Sequence, residues 1–168
     1  IVGTPKTATI VKEVNGWFIC ITSKYNTEFD QIVVDNQNAV GIDCGVVKTF
    51  ALSDGSVIMK PATDMSKIKR LQRKLSRQKK GSKSREKTKT TLQKEWLKIR
   101  NQRLDFLHKT TTTLVNTYSA ISIEVLKLQK MQQSGLTKVN RDMSDNNFST
   151  FKELLKYKSI EKAKHLFL

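Results

Sequence analysis

Asp43 and Glu124 are the residues whose types and surroundings best suit metal chemistry. Asp43 lies in Gly41-Ile42-Asp43-Cys44-Gly45, apolar before it and small on both sides, and Glu124 closes Ile121-Ser122-Ile123-Glu124. Small flanks let a phosphate approach the backbone around Asp43 closely. If the two segments are neighbouring strands, about 4.8 Å apart, the carboxylates can share a site. Two divalent ions roughly 3.5–4 Å apart could then activate a water on one side of a phosphodiester and stabilise the leaving oxygen on the other. Oxygen ligands of this kind suit Mg²⁺ or Mn²⁺ better than zinc. On spacing alone, a turn carboxylate at Asp43 and a surface strand end at Glu124 explain the pattern equally well.

Other chemistries find less support. Asp54, ahead of Gly55, reads as a turn residue. Ser53, Ser56 and the Cys44 thiol have no base partner visible in the sequence. There is neither a GxGxxG fingerprint nor a GxxxxGK[ST] phosphate loop. Cys20 and Cys44 are the only cysteines; they suit a reducing compartment and cannot assemble a zinc site. His108 and His165 read as surface or packing residues rather than ligands.

Charge points to the partner. The chain carries a formal +16, an excess that favours a polyanion, with nucleic acid the leading candidate. Between Lys60 and Arg100 stand sixteen Lys/Arg against three acids, Asp64, Glu86 and Glu95. A merely solvated helix face normally interleaves acids at helical spacing, and this one hardly does. The candidate nucleic-acid contacts are Lys67, Lys69, Arg70, Arg73, Lys74, Arg77, Lys79, Lys80, Lys83, Arg85 and Lys87. Trp17, Trp96 and Tyr118 could stack on bases, although Trp96 and Tyr118 lie on an apolar helix stripe that suits core packing. No apolar run approaches the ~18 residues that span a bilayer, so a cytoplasmic protein without membrane contact is expected. A chain opening on Ile1 without methionine reads as a fragment.

The elements that must position these residues follow from periodicity. Thr7–Glu13 and Trp17–Ser23 form a β-hairpin turning at Asn15-Gly16 in type I′ geometry. The polar run Asp35-Asn36-Gln37-Asn38 marks a subdomain boundary. Ala39–Gly45, Val47–Leu52 and Ser56–Met59 make a three-strand meander. From Asp64 the period turns helical, with Ile68, Leu71 and Leu75 on one face, ending near Gly81-Ser82. A second helix runs from Arg85 to Tyr118, weakest at Thr110–Thr113. Ala120–Leu126 returns to strand, and a last helix capped by Ser144 or Asp145 carries Phe148, Phe151, Leu154, Leu155 and Tyr157. This order implies an α/β fold, and a meander followed by helix and a fourth strand beside the first is the RNase H-like arrangement. Fold alone does not establish function.

Several of these segments together resemble a known family. Val40-Gly-Ile-Asp-Cys-Gly45, Phe50-Ala-Leu-Ser-Asp-Gly55, Leu71-Gln-Arg-Lys-Leu-Ser-Arg77, Asn101-Gln-Arg-Leu-Asp-Phe-Leu-His-Lys109 and Ile123-Glu-Val-Leu126 are similar, in order, to the TnpB (OrfB) proteins of prokaryotic insertion sequences. These are relatives of type V CRISPR effectors. The resemblance implies an incomplete RuvC-like nuclease of RNase H fold over residues 39–168, interrupted by a long basic helical hairpin at 64–118. Residues 1–38 would be the last strands of an oligonucleotide-binding wedge domain. Asp43 matches the first catalytic carboxylate and Glu124 the second, both on Mg²⁺ or Mn²⁺. The partners implied are a guide-type RNA and the DNA it directs cleavage of, with the hairpin on phosphates and base pairing supplying specificity.

The chain also departs from that pattern. The family continues to a four-cysteine zinc ribbon and a third catalytic aspartate, and neither precedes Leu168. Asp142, Asp145, Glu153 and Glu161 stand in the wrong context to replace the aspartate, Val125 stands where Asp is usual, and Ser159–Leu168 leaves the family pattern. A truncated transposon-encoded DNA endonuclease with impaired cleavage is therefore expected, the alternative being a catalytically inactive RNA- or DNA-binding module.

Overall fold

The computed structural model describes residues 3–24, 38–45, 48–124 and 147–168. It divides into two compact units, Ile1–Glu28 with Ala62–Gln102, and Phe29–Pro61 with Arg103–Leu168.

In the first unit, β1 (Thr4–Glu13) and β2 (Gly16–Lys24) pair antiparallel, with Ile10 opposite Ile19 and Lys12 opposite Trp17. The turn falls one residue earlier than expected: Glu13 faces Gly16, so Val14 and Asn15 make the connection. A type I′ turn needs positive φ at both central residues. Neither Val14 nor Asn15 has it, and Gly16 instead takes φ +152°. Helix α1 (Ser66–Arg77) starts where the Asp64 carboxylate accepts bonds from the Ser66 amide and hydroxyl at 2.8 and 2.9 Å. Those bonds hold the Asp64 carboxyl below its ordinary range. Gly81, at φ +81°, turns the chain into α2 (Lys83–Thr117), whose residues 83–102 belong to this unit.

The second unit is built on one sheet. Its strands are β3 (Ala39–Cys44), β4 (Phe50–Leu52), β5 (Val57–Ile58), β6 (Ala120–Ile123) and β7 (His165–Phe167), in the order β5-β4-β3-β6-β7. The meander pairs antiparallel, whereas β6 runs parallel to β3 and β7 parallel to β6. The fourth strand thus lies beside the first, as its sequence position led one to expect. Residues 46, 47, 125 and 126 of the expected strands, and the cap candidates Ser144 and Asp145, lie outside the described residues. The N-cap position of α3 (Phe148–Glu161) is Asn147, in the left-handed conformation. That conformation is one that Asn tolerates better than most side chains.

Alternation along the strands makes one face of the sheet apolar. Val40, Ile42, Cys44, Phe50, Leu52, Ile121 and Ile123 are buried, together with Leu107, Leu114 and Val115 of α2 and Phe151, Leu154 and Leu155 of α3. The Phe50 ring stacks on Phe151 at 3.9 Å between centroids and meets Phe148 edge-on at 6.1 Å. Tyr157, expected on the α3 stripe, is exposed. Strand β7 was not anticipated: the tail from Ser159 is buried at its start and ends in a strand against β6. His165 stacks on Phe167 at 5.3 Å, a packing role as read from the sequence.

Two polar clasps tie these elements together, one at the start of the sheet and one between the helices. Asn38 donates from Nδ2 to the Thr117 carbonyl at 2.9 Å, capping α2, and its own carbonyl accepts from the Ser119 amide and hydroxyl at 2.9 and 3.0 Å. Lys158 of α3 donates to the His108 carbonyl and to the Thr111 and Thr112 hydroxyls, each at 2.8 Å. Burial lowers the Lys158 pKa. The threonine run therefore stays helical, with Thr111 and Thr112 bonding back to carbonyls one turn earlier and Lys158 bridging all three groups. Among the described residues no helix is long and apolar enough to cross a membrane. Lys158→Ala should cost about 1.5–3 kcal/mol, the range for hydrogen bonds to a charged group, measured as a lower urea midpoint with unchanged m.

Candidate functional site

The β3–β6 register settles where the two carboxylates stand. Gly41 pairs with Ser122 and Ile42 with Ile123, so Asp43 and Glu124, each the next residue, come abreast at the carboxyl ends of adjacent parallel strands. Strand spacing puts their backbones about 4.8 Å apart. Both are exposed, because Ile42 and Ile123 face the core and the pleat turns their successors to the other side. Their neighbours on that face are small. Ala51 pairs with Asp43 across β4, and Gly41 accepts a close approach from Ser53, whose hydroxyl receives the Gly41 amide at 3.0 Å.

Electrostatics gives a second mark of the same proximity. The buried Cys44 thiol is pushed up to about 12, first by burial and then by the charges of Asp43 and Glu124. It stays a neutral thiol, unsuited to nucleophilic or metal-ligating roles, both of which need the thiolate. The small residue after it has a structural reason that the sequence did not suggest. A Cβ on Gly45 would lie 2.6 Å from the Lys48 carbonyl oxygen, so the close approach of the chain to itself requires glycine there.

Other acids are placed away from the pair. Asp54 accepts the Tyr118 hydroxyl at 2.6 Å and the Ser56 amide at 2.8 Å, which lowers its pKa and raises that of Tyr118. It is a turn residue, as read, and also anchors Tyr118. Glu153 and Glu161 ride on α3, whose apolar side packs on the core face of the sheet, opposite the side of Asp43. Asp142 and Asp145 lie outside the described residues. Among the described residues no group of three or more His, Cys, Asp or Glu gathers at one point.

The basic hairpin divides its cations between two tasks. Lys69, Arg70, Arg73, Lys74, Arg77, Lys79, Lys80, Lys83 and Lys87 are exposed. Two residues expected among them are drawn into the hairpin itself. Arg85 turns inward from α2 and donates to the Leu75 and Gln78 carbonyls at the end of α1, satisfying acceptors that a helix terminus leaves open. Lys67 pairs with Glu95 across the two helices. Farther along, Arg100 donates to both oxygens of Glu13 at 2.9 and 3.0 Å, tying α2 to the β-hairpin of the same unit. Trp96, expected to pack in the core, is exposed, and Trp17 is exposed with the Lys12 ammonium 5.1 Å from its ring centre.

An α/β protein with a carboxylate pair on its open sheet face and a strongly basic helical hairpin is what these features define. The chain matches the OrfB_IS605 family, described as "Probable transposase", over residues 22–135. It is 32% identical to "Putative RNA-guided DNA endonuclease InsQ" of Escherichia coli (strain K12), over 95% of this chain and 43% of that protein. It is 34% identical to a "Putative RNA-guided DNA endonuclease" of Streptomyces pristinaespiralis, over 71% of this chain and 30% of that protein. The chain belongs to the OrfB_IS605 family, and it spans less than half the length of either relative.

Two outcomes follow from the local chemistry. At pH 8 iodoacetamide should modify exposed Cys20 and leave Cys44 intact until the protein is unfolded, as read by peptide mass. Because folding raises the Cys44 pKa, its contribution to stability is complete below the unfolded value near 9 and is lost as pH rises towards 12; Cys44→Val should remove that alkaline loss. Arg85→Met should lower the melting temperature, whereas Lys87→Met, two residues on and exposed, should leave it nearly unchanged.

Proposed function

We propose that this chain is the metal-binding and nucleic-acid-holding part of an RNA-guided DNA endonuclease encoded by a transposable element. The observation that carries the reading is the parallel β3–β6 register, which sets Asp43 and Glu124 side by side on an open face. The strand order β5-β4-β3-β6-β7, with an antiparallel meander and two parallel additions, supports an RNase H-like core of the RuvC kind over residues 39–168. The separate β1–β2 sheet supports assigning residues 1–38 to the end of an oligonucleotide-binding wedge. The names of the relatives support a guide-type RNA and a DNA as partners.

The donor set fits a hard divalent cation. Asp43 and Glu124 offer exposed carboxylate oxygens, and the sulfur beneath them is held protonated, which favours Mg²⁺ or Mn²⁺ over a thiophilic metal. Such ions, when bound, activate a water and neutralise the leaving oxygen of a phosphodiester. The chain's own part is to hold them through Asp43 and Glu124 and to leave the neighbouring positions small, at Gly41, Ala51 and Ser122, so that a sugar–phosphate backbone can reach them. The exposed cations of α1 and α2 hold the nucleic acid by its phosphates, a sequence-independent attraction that weakens with salt. Base pairing to the RNA supplies the choice of sequence.

Calorimetric titration with Mn²⁺ tests the site. Binding that is lost in both Asp43→Ala and Glu124→Ala is the expected result. Heat unchanged in the two variants, alongside nucleic-acid binding indifferent to Mg²⁺, would replace this reading with that of a binding module without catalysis.

A further inference from the structure

The exposed surface of α2 within the first unit carries a row of four lysines, Lys83, Lys87, Lys94 and Lys98. At about 100° per residue these positions fall within roughly 60° of one another around the helix, and at about 1.5 Å per residue they extend for about 22 Å. Other sides of the helix carry packing and ion pairs, apart from the exposed Lys89, which stands away from the row. Thr88 and Ile99 are buried and Glu95 meets Lys67 of α1, while Arg100, on another side, holds Glu13 of the β-hairpin. Glu86 is the one acid beside the row, three residues from Lys83, and Glu95 points inward to its partner.

Such a row works against the helix when it stands alone. Lys83 with Lys87, and Lys94 with Lys98, are like charges four residues apart, a spacing that destabilises a helix. Thr90 and Thr91, between the two pairs, use their hydroxyls on the carbonyls of Glu86 and Lys87, leaving the ammonium groups as the principal donors of this surface. A line of point charges without planar, bidentate donors suits a continuous backbone of phosphates and reads no bases.

We infer that Lys83, Lys87, Lys94 and Lys98 form a rail for the phosphates of one strand of a nucleic-acid duplex, running along α2. This deepens the proposed role of the hairpin and rests on it. In a duplex each strand offers a charge about every 3.4 Å along the axis, so the rail covers the length of about six phosphates. The inward-turned Arg85, Lys67 paired with Glu95, and Arg100 on Glu13 are excluded from it.

The test measures affinity by fluorescence anisotropy across a salt series, using labelled RNA–DNA hybrids of about 20 base pairs, the heteroduplex length of RNA-guided effectors, in two unrelated sequences. Lys83→Gln, Lys87→Gln, Lys94→Gln and Lys98→Gln combined should reduce the log–log salt slope by roughly 3–4, about 0.9 per lost contact, equally for both sequences. Four Lys→Arg changes at the same positions should preserve the slope. A control of equal charge change, Lys152, Lys156, Lys162 and Lys164 to Gln, should alter it far less. If control and rail variants lose the same slope, net charge alone accounts for binding and the rail is overturned, while the hairpin's role stands. If the unaltered chain shows no salt-dependent binding, both readings fall.

Discussion

Strand β3 can lie parallel to β6 only because a long crossover separates them, and in this chain that crossover holds β4, β5 and both arms of the basic hairpin. The pairing is fixed from the side opposite the chemistry. Val40 with Ile121 and Ile42 with Ile123 form buried cross-strand pairs under Phe50 and the helices. A slip of either strand by one residue would turn its two apolar side chains outward, at about 1.5–3 kcal/mol for each one exposed. Asn38 fixes the start of the same register, since it closes α2 and receives the first residue before β6. The position of Asp43 beside Glu124 is thus enforced by apolar residues that never touch the site.

Much of that arrangement was legible in the sequence because periodicity reports burial. The alternation in Ala39–Cys44 and Ala120–Ile123 carried the strands, and the break of period near Asp64 carried the helices. What escaped has specific causes. Strand β7 is three residues long and follows Ala163, which has positive φ, so its strand character is supplied by the free edge of β6 rather than by its own pattern. The β-hairpin turn moved to Val14-Asn15 because the pairing of Lys12 with Trp17 sets the register ahead of the preference of Asn-Gly. Asn38 was read as part of a polar linker, since a clasp made with residues about eighty positions away leaves no local trace.

Charged residues were the least legible. Composition shows that the segment is basic, but it cannot say which cations face inward. Arg85 sits among lysines and differs from them only in its planar fork, which can satisfy two carbonyls at once. Lys158 looks like any helix-surface lysine and yet serves three acceptors in the threonine run. In both cases a helix defect came first: the open carbonyls at the end of α1 and the β-branched section of α2 each required a donor, and a nearby cation supplied it. Lys69, Lys74, Lys83 and Lys87 are exposed and take no such part, and this division gives the exposed set its meaning.

The carboxylate pair obeys the opposite logic. Two like charges abreast in a protein interior would be prohibitive, whereas on an exposed face at about 4–5 Å their repulsion is on the order of 1 kcal/mol in water. The fold can therefore carry Asp43 and Glu124 without a cation, its stability residing in the apolar layer beneath them. A cation bound there as proposed would meet a site already formed and have no folding to accomplish, unlike a metal that organises its own domain. The neutral Cys44 thiol completes this separation, because a third ionised group, under the pair, would add repulsion from the buried side, where solvent cannot screen it.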